Sequence, residues 1–121
     1  MKHILLVDAH SAFRQALACV LEHDREQPVV VQAGTLAEGQ QRLAAVDLAV
    51  VDRELPDGSG DDLVRVLRRV SPQTRVVALV PAPMGKATLS GIAADAVVSK
   101  GAGLAELVGT VAQFSAAAGR P

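Results

Sequence analysis

The chain has 121 residues, half of them apolar, and twelve basic against thirteen acidic residues leave a formal net charge of −1. That length suits one domain, and the balanced charge gives no basic footprint for nucleic acid. Cys19 is the one cysteine, and Phe13 and Phe114 stand without any Trp or Tyr, which excludes a disulfide framework, a multi-cysteine metal site and base stacking on aromatic platforms.

Short apolar runs alternate with longer helical patterns. Ile4-Leu5-Leu6-Val7 reads as a strand buried on both faces. The four apolar residues after Met1-Lys2-His3 are too few for a signal peptide. Phe13, Leu17, Val20 and Leu21 recur at helical spacing, with Cys19 expected in the core. Val29-Val30-Val31 is the second strand, and Leu36, Gln40 and Leu43 mark a weaker helix. Leu48-Ala49-Val50-Val51 is the third strand. Pro56-Asp57-Gly58 is a turn. Ser59 then caps a helix with Asp61 and Asp62 in its first turn. Its apolar stripe is Leu63, Val66, Leu67 and Val70. The cluster of Arg65, Arg68, Arg69 and Arg75 reads as a solvated face. Val76-Val77-Ala78-Leu79-Val80 is the fourth strand and Ala96-Val97-Val98 the fifth. Between them, residues 84–94 carry Gly85, Thr88, Ser90 and Gly91, so a short, mobile helix is expected. Leu104, Leu107, Val108 and Val111 form the last helix, and the pattern fades over Ser115 to Pro121. No apolar run reaches the roughly 18 residues of a membrane span.

Five such strands alternating with helices predict an α/β fold with a parallel sheet covered on both sides. Ligands on such a sheet bind beyond the carboxyl ends of the strands. Strand one ends in Asp8-Ala9-His10, strand three in Asp52-Arg53-Glu54, and strand five in Ser99-Lys100-Gly101. Two acids and one lysine thus converge on one edge from distant stretches of sequence. Adjacent carboxylates repel unless a cation or Lys100 sits between them, and oxygen ligands of this kind suit Mg²⁺. A carboxylate beside a hard cation and a lysine can attack a phosphoryl group. His10 reads as a helix-start residue, and Glu54 as solvated or paired with Arg53.

From Lys2 to about Ala117 the sequence resembles the receiver domain of two-component response regulators, closest to the class with a LuxR/NarL-type output. The residues that carry the likeness are Ile4 to His10, Val50 to Gly60 (with Asp52, Leu55, Pro56 and Gly60 in the most specific pattern) and Ala93 to Lys100. The resemblance implies a flavodoxin-like, doubly wound sheet of order 2-1-3-4-5. The receiver-like domain would span residues 1–118, with 119–121 a tail or the start of a linker. It implies that a histidine kinase donates a phosphoryl group to Asp52. Mg²⁺ would be held by Asp8, Asp52 and a backbone carbonyl two residues on, and Lys100 would pair with the phosphoryl group. Output would pass by protein–protein contact, as a homodimer or onto an output domain. DNA would be met only through a helix-turn-helix domain beyond residue 121. The setting implied is cytoplasmic, with no membrane partner.

The departures from that family pattern predict an atypical receiver. The second acid is Ala9, the Ser/Thr that bonds the phosphoryl group is Val80, the residue after it is Pro81, and the aromatic switch is Val97. Mg²⁺ affinity is expected to be weak unless the Glu54 carboxylate serves as a replacement metal ligand. The competing function is a phosphorylation-independent protein-interaction or small-ligand-binding module. An enzyme is not expected. Asp52-Arg53-Glu54 matches the Asp-x-Asp of aspartyl-phosphate phosphatases only in part, and Asp8-Ala9-His10 lacks the closing glycine of a cobalamin motif.

Overall fold

A computed structural model describes residues 2–24, 27–81 and 93–117. Its strands are β1 (His3–Val7), β2 (Val29–Ala33), β3 (Leu48–Asp52), β4 (Arg75–Val80) and β5 (Ala96–Ser99). Its helices are α1 (Ser11–Glu22), α2 (Leu36–Gln40), α3 (Gly60–Val70) and α4 (Leu104–Ala117). A two-residue ribbon joins β3 to α3, with Glu54–Leu55 antiparallel to Gly58–Ser59, and a 3-10 turn over Lys100–Ala102 leads into α4. The five strands are parallel in the order β2-β1-β3-β4-β5, the expected order.

Successive side chains of a strand point to opposite faces, so each continuous apolar run feeds two cores. Ile4, Leu6, Val50 and Leu79 pack with Leu17 and Leu21 of α1 and Leu107 and Val111 of α4. Leu5, Val7, Val51 and Val76 pack with Leu63 and Leu67 of α3 on the other side. β3 is buried along its whole length. The edge strand β2 departs from the expectation of double burial, because Val29 and Gln32 are exposed.

Register sets the site. Val7 pairs with Val51, Asp52 with Leu79, and Val80 with Ser99. The carboxyl ends of β1, β3 and β5 therefore open at one edge, where Asp8, Asp52 and Lys100 follow.

Three readings need correction. Cys19 is exposed rather than in the core. Val20 and Val70 are also exposed, and Val64 takes the buried place on α3. Arg68 is more than a solvated residue: it donates to the Ala93 and Thr74 carbonyls at 3.0 and 3.1 Å and to Asp95 Oδ2 at 3.0 Å. α4 runs to Ala117, so Ser115 to Ala117 form its end. The short helix expected over 84–94 falls mostly outside the described residues, as do residues 118–121.

Candidate functional site

Asp8 leaves β1 with none of its surface exposed, and Asp52 ends β3 with 1 %. Local backbone holds each carboxylate. The His10 N–H donates to Asp8 Oδ1 at 2.8 Å, and the Glu54 N–H donates to Asp52 Oδ1 at 2.9 Å. Both are bonds to an N–H two residues on, which the chain forms as it turns out of a strand. The Asp8 backbone is fixed on both sides, its N–H donating to the Ala33 carbonyl and its carbonyl accepting from Arg14 Nη1 at 2.7 Å. The Arg53 N–H donates to the Leu79 carbonyl and the Arg53 carbonyl accepts from the Gly60 N–H, tying the acceptor loop to β4 and to the start of α3.

Lys100 Nζ reaches into the space between the carboxylates. It donates to Asp8 Oδ1 at 3.1 Å and Asp52 Oδ2 at 3.1 Å, and lies 2.9 Å from Asp8 Oδ2. The same ammonium is 2.6 Å from His10 Nδ1 and 4.7 Å from the centre of the Phe13 ring. Burial pushes the Asp52 carboxyl above its ordinary range; the Glu54 N–H opposes this, the Asp8 charge adds to it, and Lys100 opposes it. The two carboxylates are therefore held side by side by one cation.

The structure brings Asp8, Asp52 and Lys100 together as the sequence predicts. Glu54 lines the same open cavity of about 240 Å³, with His10, Asp52, Pro81 and Lys100. Its exposed carboxylate is not among the clustered ligand atoms, which belong to Asp8, His10 and Asp52 and lie within 4.8 Å of one another. Arg53 Nε donates to Asp61 Oδ2 at 3.1 Å. His10 is the site residue that sequence reading passes over as a helix start. It does occupy the N-cap position of α1, but its side chain makes no cap bond and turns to Asp8 and Lys100. The signal lay in its place two residues beyond a strand-end acid.

Asp8 Oδ2 is the one buried side-chain polar atom among the described residues that accepts no hydrogen bond, although it is ion-paired with Lys100. A buried carboxylate oxygen with an ion pair but no hydrogen bond, beside a second buried carboxylate, fits a hard divalent cation such as Mg²⁺. Val80, at the end of β4, is buried and offers no hydroxyl toward the cavity.

The family model described as "Response regulator receiver domain" matches residues 4–112. The chain belongs to the response regulator receiver family. It is 39 % identical over 98 residues to the DNA-binding transcriptional activator DevR/DosR of Mycobacterium tuberculosis (strain ATCC 25618 / H37Rv), a match covering 79 % of this chain and 45 % of that protein. It thus spans less than half the length of that relative. Among solved structures it is similar to the non-phosphorylated HemR receiver domain of Leptospira biflexa, with a TM-score of 0.85 and 26 % identity over 100 % of this chain and 98 % of that one. It is also similar to the response regulator TrrA of Thermotoga maritima, solved in complex with Mg²⁺-BeF, with a TM-score of 0.80 and 27 % identity over 94 % and 99 % of the two chains. Among the described residues no helix is long and apolar enough to cross a membrane.

Proposed function

We propose that this receiver takes a phosphoryl group on Asp52 and works as the regulatory part of a cytoplasmic transcriptional regulator. One observation carries the reading: Asp52 lines the open cavity with an ammonium 3.1 Å from its Oδ2, while Asp8 beside it is sealed from solvent. In the transfer, an Asp52 oxygen attacks phosphorus, the bond from phosphorus to the donor's leaving atom breaks, and an acyl phosphate forms. The donor is the phosphohistidine of a sensor kinase. Lys100 follows the negative charge from the carboxylate to the phosphoryl oxygens. Mg²⁺, held by Asp8 and Asp52 with Glu54 beside them, would neutralise the charge gathering on those oxygens. The missing acid at Ala9 makes that ion weakly bound. The domain receives a group and does not turn over a substrate, so it is not an enzyme in its own right.

Val80 and Val97 support a second reading. Neither can follow a phosphoryl group as a hydroxyl or a swinging aromatic would, and Lys100 already bridges both acids. Output would then rest on protein contacts that do not need phosphorylation, as a homodimer or on a LuxR/NarL-type helix-turn-helix domain. Binding of a small ligand in the same cavity is a variant of it.

Intact-mass spectrometry after incubation with acetyl phosphate and Mg²⁺ decides between them. The first reading expects a phosphoryl adduct on the wild-type chain and none on Asp52→Asn. Folded wild-type protein without an adduct, from acetyl phosphate or a panel of sensor kinases, would leave the second.

A further inference from the structure

We propose that the His10 imidazole holds the place of a phosphoryl oxygen in the resting site: it takes the third N–H of Lys100, and it swings out to solvent when a phosphoryl group on Asp52 claims that N–H. The inference rests on the phosphotransfer reading and goes beyond it, because it supplies the moving part that Val80 and Val97 cannot.

A lysine ammonium has three N–H donors and no acceptor. Here each donor has a partner: Asp8 Oδ1 at 3.1 Å, Asp52 Oδ2 at 3.1 Å and His10 Nδ1 at 2.6 Å. Nδ1 therefore accepts, which leaves the ring neutral with its proton on Nε2. The three acceptors differ in burial. The Asp8 and Asp52 side chains are 0 % and 1 % exposed, whereas that of His10 is 71 % exposed. Withdrawing Lys100 from either carboxylate leaves a buried charge without its partner, which is costly. Withdrawing it from His10 leaves a neutral ring that water can satisfy.

A phosphoryl group competes for that one position. It enters the cavity that His10, Asp52 and Lys100 line. His10 Nδ1 lies 3.9 Å from Asp52 Oδ2, and a phosphorus bonded to Oδ2 puts its oxygens into this gap. Ionised phosphoryl oxygens only accept, and so does Nδ1, so the two repel until the ring leaves. A charged oxygen is also a stronger partner for an ammonium than a neutral nitrogen. The backbone need not follow. The His10 N–H stays on Asp8 Oδ1 at 2.8 Å, and the His10 carbonyl accepts from the Arg14 N–H at 2.9 Å. What changes is the side chain at the start of α1. Occupancy of Asp52 is then reported there, and not along β4 and β5.

Nuclear magnetic resonance of the whole chain tests this, and its three histidines, His3, His10 and His23, keep the ring signals few. The probe is beryllofluoride with Mg²⁺, which stands in for a phosphoryl group on a carboxylate, and its binding is followed by fluorine signals. The His10 ring signals are those missing from His10→Ala. An Overhauser contact between the His10 ring and the Lys100 methylenes is expected at rest, and saturation with beryllofluoride is expected to abolish it. In parallel, His10→Ala is expected to take a phosphoryl adduct from acetyl phosphate about three- to tenfold faster than the wild type, since no ring has to be displaced. A merely structural His10 would leave that rate unchanged or lower it. The proposal is overturned if the contact is absent at rest, if it survives saturation, or if His10→Ala is no faster. An adduct that forms only in His10→Ala supports it. If neither protein takes an adduct or beryllofluoride, the phosphotransfer reading falls and this one with it, whereas an adduct with an unmoved ring overturns this one alone.

Discussion

Two carboxylates share one ammonium at the end of the sheet, and each contributes differently. Asp8 is fully buried and takes both of its oxygens to Lys100; Asp52 gives Lys100 one oxygen and the Glu54 N–H the other. Desolvation of such a set is offset only while the opposite charge is in place. Lys100→Ala removes it and leaves two like charges buried side by side. The expected loss is about 3–5 kcal/mol of unfolding free energy by urea titration. Millimolar Mg²⁺ is expected to return part of that loss, since a cation that binds only the folded chain stabilises it by mass action. A Lys100→Ala protein as stable as the wild type, with no response to Mg²⁺, would show that the acids are not charged together.

At the scale of elements, the acceptor loop is clamped between α3 and α2. Gly60 opens α3 directly beneath Asp52, and a methyl group there would run into the Asp52 carbonyl oxygen and Val51 Cγ1. Gly60→Ala therefore displaces either the helix or the acceptor strand. It is expected to cost about 1–3 kcal/mol in urea titration and to lower the yield of any Asp52 adduct. On the other side, Asp57 reaches back to cap α2, its Oδ1 accepting from the Leu36 N–H at 2.7 Å and its Oδ2 from the Ala37 N–H at 3.0 Å. Hydrogen exchange at Leu36 and Ala37 is expected to speed up in Asp57→Ala, while exchange in β3 stays slow. These clamps also mark what was legible in the sequence. The strands were readable because a parallel sheet buried on two faces needs unbroken apolar runs, and β1, β3 and β4 have them. The edge strand β2 carries the same valines, and nothing local says that one side of it meets solvent. Of the stripe on α3, Leu63 and Leu67 are buried as expected, while Val64 joins the core and Val70 is exposed. Asp8, Asp52 and Lys100 could be placed from strand ends alone. His10 stands at the same strand end, but the contact that brings its side chain into the site is with Lys100, 90 residues further along the chain.

Over the whole molecule, acids with opposite displacements give stability a pH dependence that can be dissected. Asp57 is held below the ordinary carboxylate range by the Leu36 and Ala37 N–H groups. For Asp95, burial pulls upward, but the Val76 N–H, the Arg68 guanidinium and the Arg75 charge outweigh it and leave the group low. Both contribute stability that is present above their unfolded values and lost as pH falls through the folded ones. Asp52 has the opposite sign. Its raised carboxyl contributes stability that is complete below the unfolded value near 3.8 and lost as pH rises through the folded value. Asn at this position resembles the protonated acid at every pH. Asp52→Asn is therefore expected to melt above the wild type at about pH 7, with the difference shrinking as pH falls through the raised folded value of Asp52 toward its unfolded value near 3.8. The wild type and Asp52→Asn should still lose stability together at lower pH, since Asp57 and Asp95 are unchanged in both. Thermal melts of the two proteins across this range measure the difference directly. A gap that stays constant with pH would mean that the Asp52 charge is fully compensated by Lys100, and that the acceptor carries no strain for a phosphoryl group or a metal ion to relieve.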